Sequence, residues 1–177
     1  MKATGVVRRI DELGRIVIPK EIRRTLRIHE GENIEIYIDE SENIVLKKYS
    51  VMKKLGDFAQ SFTDSIYSFL KHTIIITDTD RIIAVSGDLK KEYLNCNISD
   101  ILLSSIQRRE NILEKHEKTL KLKDDEEIEC TYAMNSIICH GDAVGLVIIL
   151  SEDEKIAELE EKIAQIAAQF LSKYLEE

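Results

Sequence analysis

Residues 5–10, GVVRRI, alternate along an extended segment, with Val6, Arg8 and Ile10 on one face and Val7 and Arg9 on the other. After DELG the run RIVI at 15–18 continues in the same style. The pattern predicts a β-hairpin with Gly14 in its turn. Pro19 is the only proline in the chain and suits the first position of a helix, where a missing N–H removes nothing. PKEIRRTLRI is then a short helix with Ile22 and Leu26, one turn apart, facing inward. GENIEIYI places Ile34, Ile36 and Ile38 on one face, DESEN supplies a polar turn, and IVLKK returns as the last strand of a second hairpin.

Such a unit, with short strands and one helix of two turns, buries too little apolar surface to stand comfortably alone. The remedy the pattern points to is a homodimer in which hairpins from two chains interleave and share one core.

From Val51 the period changes. Val51, Leu55, Phe58, Phe62, Ile66 and Phe69 recur at steps of three and four, a helical stripe over about 51–70. TIIITD and RIIAVSG read as two strands around a turn at 78–80. LKKEYL and SDILLSSIQRR read as helices, the second with Ser99 as N-cap. The stretch from EIEC to VIIL, 127–150, reads as two or three strands with a turn at HGDAVG. The terminal segment reads as a helix, with Ser151 and Glu154 as a capping box and a 3-4-3-4 seam of Ile156, Leu159, Ile163, Ile166 and Phe170. The expectation is an α+β chain of two modules, 1–52 and 53–177. The join KKYSVMKK lacks Gly and Pro, which predicts coupled rather than loosely tethered modules.

Composition changes the picture in one respect. The formal charge is −8 over 177 residues, yet 1–27 carries eight basic side chains against three acidic ones, +5, which leaves −13 for the rest. A basic block on an acidic body is what a protein shows when one end meets a polyanion. The longest apolar run, AVGLVIIL at 143–150, is far short of a bilayer span. No apolar h-region precedes Arg8 and Arg9, and three cysteines at irregular spacing suit a reducing compartment, so a cytoplasmic, nucleoid-associated location is expected.

The arginines carry the candidate chemistry. Arg8 and Arg15 flank the first hairpin turn, Arg23 and Arg24 leave the helix one turn after Pro19, and two-fold symmetry would double the set. A guanidinium is a planar fork of donors that fits phosphate or the O6 and N7 edge of guanine. The plain alternative is a solvated surface paired with Asp11 and Glu12.

The stretch GVVRRIDELGRIVIPKEIRRTLRIHEGENIEIYIDESENIVLKKY resembles the AbrB family of swapped-hairpin DNA-binding domains, whose hallmark is a run D-x-L-G-R-[IV]-[VT]-[IL]-P followed by a short helix. The resemblance implies a dimeric swapped-hairpin β-barrel that binds double-stranded DNA. It also implies a transcriptional regulator, activator and repressor, of sporulation genes. The positions matching the family's groove-entering arginines are Arg8, Arg15, Arg23 and Arg24, with Arg9 and Lys2 as candidates for backbone contacts.

The second module resembles a GAF domain in its order of helix, strands, inserted helices, strands and helix. The resemblance implies a sensor cavity between sheet and inserted helices, for which Tyr93, Cys96, Cys130, Tyr132 and Cys139 are the candidate wall; ordinary core is the plain alternative. The helical stripes predict contacts that join dimers into a tetramer. No metal, cofactor or catalytic site is expected, because His29, His72, His116 and His140 are scattered and Ser86 and Ser136 sit in no nucleophile elbow. The alternatives are an antitoxin-like autorepressor and a small-molecule-binding enzyme built on the GAF-like half.

Overall fold

The computed structural model of the protein describes residues 5–177. It divides into two compact units, Met1–Tyr49 and Ser50–Glu177.

In the first unit, α1 spans Lys20–Thr25 behind the buried Pro19, and β1 (Ile34–Ile38) pairs antiparallel with β2 (Ile44–Lys48). The second hairpin is as expected. The first is not: its arms, 5–10 and 15–18, form no strand. Only its turn is bonded, with the Asp11 N–H donating to the Arg15 carbonyl (3.1 Å) and the Gly14 N–H to the Asp11 carbonyl (3.0 Å). The physical reason is the lack of an apolar surface to cover the arms. Val7, Ile10, Ile16 and Val17 are 52–94% exposed, and an isolated two-stranded hairpin is marginal in water.

The second unit begins with a 3₁₀ turn over Val51–Leu55 and helix α2, Gly56–Leu70. Strands β3 (Thr73–Thr77) and β4 (Ile82–Ser86), short helix α3 (Lys90–Tyr93) and helix α4 (Asp100–Gln107) follow. The Ser99 Oγ accepts the Leu102 N–H as the expected cap. Three long strands come next, β5 (Asn111–Lys123), β6 (Glu126–Cys139) and β7 (Asp142–Ser151), then helix α5, Glu158–Glu176. The sheet order is β4-β3-β7-β6-β5, all antiparallel.

Side chains alternate across this sheet, which builds two cores. On one face Ile74, Ile76, Ala133, Ile137, Val147 and Ile149 pack with α2 and α5. On the other Ile75, Val85, Met134, Leu146 and Ile148 pack with α3 and α4.

One expectation for α5 needs correction. The helix starts at Glu158, so Ser151, whose Oγ accepts the Glu154 N–H, shapes a turn ahead of it. The cap position is Ala157, which has no acceptor side chain; its N–H donates to the Glu160 carboxylate at 2.9 Å. Of the apolar seam, Ile156 is buried in the core and Ile163 packs against it. Ala164, Ala167, Ala168, Leu171 and Leu175 are buried, whereas Leu159, Ile166 and Phe170 are 57%, 64% and 46% exposed.

At Gly145 the backbone of β7 comes so near the end of β3 that a Cβ would lie 2.0 Å from the Thr77 carbonyl oxygen. Gly145→Ala must therefore push β3 from β7. We expect a loss of about 1–3 kcal/mol, seen as a lower thermal midpoint for the C-terminal unit; an unchanged midpoint would contradict this packing.

Candidate functional site

The turn at 11–15 and the turn at 39–43 are built alike. In each an aspartate opens the turn and its carboxylate accepts N–H groups two and four residues on. Asp11 takes those of Leu13 (3.0 Å) and Arg15 (2.8 Å); Asp39 takes those of Ser41 and Asn43 (both 2.9 Å). The fourth residue has positive φ in both, Gly14 at 75° and Glu42 at 61°. The fifth residue adds a side-chain donor: Arg15 Nε to Asp11 Oδ2 at 2.7 Å, Asn43 Nδ2 to Asp39 Oδ2 at 3.1 Å. An Asx turn of this kind satisfies the loop's own N–H groups and fixes where the fifth side chain leaves the backbone.

Arg15 is thus held by one of its five N–H groups and remains 72% exposed. Arg8 and Arg9 lie on the arms and are exposed; Arg23 and Arg24 are exposed in the last turn of α1. None of these four makes an ion pair among the described residues. Lys2 lies outside the described residues. Across the unit, Lys48 Nζ pairs with Glu32 (3.0 Å) and donates to the Arg27 carbonyl (2.8 Å), which ties β2 to the segment after α1.

In the second unit Tyr93, Cys130 and Tyr132 join the core between the sheet and α3/α4. Cys96 is half-buried beside them, its Sγ donating to the Glu92 carbonyl. Cys139 is in the opposite core, because it is an odd position on β6 where the others are even. Burial pushes the Cys130 thiol up to about 12 and also raises Cys139, so neither supplies a thiolate at neutral pH. Burial raises the Tyr93 hydroxyl, with help from a hydrogen bond to Glu126, and Lys123 Nζ sits 4.7 Å from the Tyr93 ring centroid. The four neighbours make a packed tyrosine and cysteine wall, with the Lys123–Glu126 pair, joined at 2.5 Å, beside Tyr93.

Two features escaped the sequence. One is an aromatic cluster between α2 and α5, with Phe58 stacked on Tyr174 (centroids 4.6 Å) and Phe62 on Phe170 (5.3 Å). The periodicity marked Phe58, Phe62 and Phe170 separately but not their pairing. The other is a cleft between α5 and strands β5 and β6, lined by amides and serines whose spacing carries no motif. Among the described residues no group of three or more His, Cys, Asp or Glu is placed to hold a metal, and no helix is long and apolar enough to cross a membrane.

Residues 54–176 match the family described as stage V sporulation protein T C-terminal, transcription factor. The whole chain is 47% identical to stage V sporulation protein T of Bacillus subtilis, with both chains covered end to end. The chain belongs to the stage V sporulation protein T family. That relative matches it through both units, and the first unit has relatives of its own. It is 63% identical over 49 residues to the transition state regulatory protein AbrB of the same organism, covering half of that protein. Residues 7–54 also match a family described as antidote-toxin recognition MazE, bacterial antitoxin. Among solved structures, the fold of the second unit is similar to a type II free methionine-R-sulfoxide reductase from Thermoplasma acidophilum (11% identity, TM-score 0.54, 72% of this chain and 95% of that one). It is likewise similar to the cofactor-binding GAF domain of the nutrient sensor CodY from Clostridium difficile (9% identity, TM-score 0.50, 71% and 90%). These two likenesses establish a GAF-type fold and nothing about ligand or reaction.

The Asp11 turn has a pH signature. The Arg15 N–H bond, then the Arg15 side chain, hold its carboxyl below the ordinary aspartate value. A depressed pKa contributes stability above the unfolded value and loses it as pH falls through the folded one. The Arg15 amide resonance should therefore keep its bonded shift through the ordinary aspartate midpoint of about 3.9 and move only at lower pH. A midpoint at or above that value would dissolve the turn's carboxylate anchor.

Proposed function

We propose that this chain is a sequence-selective DNA-binding regulator, activating and repressing sporulation genes, that works in the cytoplasm on the nucleoid as a dimer of dimers. The observation that carries the reading is the state of the first unit. It holds almost no interior of its own, since Ile36, Ile38 and Ile44 are 68–72% exposed together with the arms at 5–18. In a second copy the same strands are equally uncovered. Interleaving two sets would give each arm a sheet to pair with and each isoleucine a partner, at about 25 cal/mol per Å² of apolar surface removed from water. The dimer would also bring two copies of Arg8, Arg15, Arg23 and Arg24 to one surface for the grooves, with Arg9 and Lys2 toward the phosphates.

The second unit supplies assembly in this reading. Leu159, Ile166 and Phe170 join Tyr174 (39% exposed) and Phe69 (78%) as exposed apolar side chains on α5 and α2, beside the Phe58 and Phe62 stack. Such a surface suits packing against the same helices of another dimer. The unit also serves as the sensor module. Its GAF-type fold makes a tuning ligand for DNA affinity a natural role, through couplings of about 1–3 kcal/mol.

The antitoxin-like reading draws on the match at 7–54, but that match leaves the patterned second unit without a purpose, whereas the full-length relative accounts for it. The enzyme reading draws on the reductase fold. The buried, protonated Cys130 and Cys139 thiols give it no nucleophile.

Arg15→Ala should cost about 1–3 kcal/mol per half-site in operator binding while leaving the far-ultraviolet spectrum unchanged. Arg9→Ala, on both protomers, should flatten the slope of log K against log salt by about 2. Wild-type affinity for Arg15→Ala would remove that residue from the interface. For assembly, light scattering should give a tetramer for the intact chain and a dimer for Phe170→Glu. A tetramer that survives this change would move the contact elsewhere.

A further inference from the structure

Helix α5 has a third face. Ala164, Ala167, Ala168, Leu171 and Leu175 point to the sheet and Phe170 and Tyr174 stack on α2, while Gln165, Gln169 and Lys173, spaced four apart, face the start of β5. Between them and strands β5 and β6 lies the cleft noted above, about 360 Å³ in volume, within the range of about 300–1,000 Å³ typical of small-molecule sites. Ile138 and Ala168 contribute its apolar surface.

Asn135, in the middle of β6, lines this cleft and is only 4% exposed. Its Nδ2 is buried and has no hydrogen-bond partner. Leaving a buried polar group unmet is costly, and an apolar residue at this position would avoid that cost. The neighbouring serines are already committed. Ser136 Oγ donates to the Glu110 carbonyl, and Ser172 Oγ donates to the Ala168 carbonyl while accepting the Ile138 N–H. The Asn111 Oδ1 accepts the Ser136 N–H. That leaves the Asn135 carboxamide, the Asn111 amino group, two glutamine carboxamides and the Lys173 ammonium unspent around one space. A half-turn of the Asn135 carboxamide exchanges donor and acceptor without changing its shape.

The inventory selects a ligand. Donors outnumber acceptors, there is one positive charge, and no Asp or Glu lines the cleft. A single carboxylate fits Lys173 and an amide N–H, and the remaining carboxamides can meet a hydroxyl, amino or amide group. A phosphate would bring two charges to one cation within an acidic module, which disfavours it. From the geometry we infer that this cleft, on the sheet face opposite the tyrosine and cysteine wall, binds a small polar monocarboxylate of amino-acid or hydroxy-acid size, with Asn135 and Lys173 as its principal contacts.

The test uses the intact chain with L-serine, L-glutamine and L-lactate as probes and acetamide as the neutral control, read by saturation-transfer difference spectra and by thermal shift, since a ligand that binds only the folded state raises its midpoint. At least one of the three carboxylates should saturate and raise the midpoint, with acetamide much weaker. Asn135→Leu removes the unmet group and should fold at least as well as the parent, yet weaken binding about tenfold or more. Lys173→Gln, at an exposed position, should do the same without touching the core. The inference fails if none of the three carboxylates saturates, if acetamide binds as tightly as they do, or if both variants bind like the parent. A crystal structure grown with millimolar probe that shows only water against Asn135 would also overturn it.

Discussion

Strand β7 makes one sheet out of what would otherwise be two hairpins. Leu146–Leu150 pairs with Thr73–Thr77 of β3 on one side and β6 on the other, so the run has a strand on each edge and its side chains go inward on both faces. Val147 and Ile149 feed the core under α2 and α5, while Leu146, Ile148 and Leu150 feed the core under α3 and α4. The helices have a place to bind because this strand exists. Thr77 reinforces the join, its hydroxyl accepting the Leu146 N–H at 3.2 Å.

The first unit lives under the opposite constraint. Its strands alternate as regularly as any in the chain, but β1 has only β2 beside it and the arms at 5–18 have nothing. What remains well defined there is local: two aspartate-anchored turns, a helix begun by Pro19, and the Lys48–Glu32 pair. Local geometry is thus complete before any long-range contact, and the exposed isoleucines record what is missing.

How far the sequence was legible follows from the same distinction. Period-two runs such as TIIIT and VIIL, and the Ser99 cap, report local forces and were readable directly. Strand β5 was not, because NILEKHEKTLKLK is an edge strand whose charged residues blunt its open side and hide the alternation that surfaces only at Leu120 and Leu122. On α5 periodicity picked out five large side chains, three of them exposed, and passed over the face against the sheet, which is mostly alanine. Cys139 was grouped with Cys130 by residue type, though their register puts them on opposite sides of the sheet. The Asn135 cleft left no trace in the pattern, since its residues come from three elements and acquire meaning only when the strands pair. The arginines sit exposed on the first unit, and the Asp11 clasp, which fixes where Arg15 leaves its turn, needed the folded loop to be seen.

The alanine face of α5 bears on mechanics. Ala164, Ala167 and Ala168 let the middle of the helix lie close on the sheet, while Ile156 and Ile163 before them and Leu171 and Leu175 after them pack into the core, and Ser172 Oγ takes the Ile138 N–H. A helix held at its start by the Lys115–Glu158 pair and near its finish by Ser172 is a strut rather than a lever, and a load on Phe170 passes straight into the sheet beneath it.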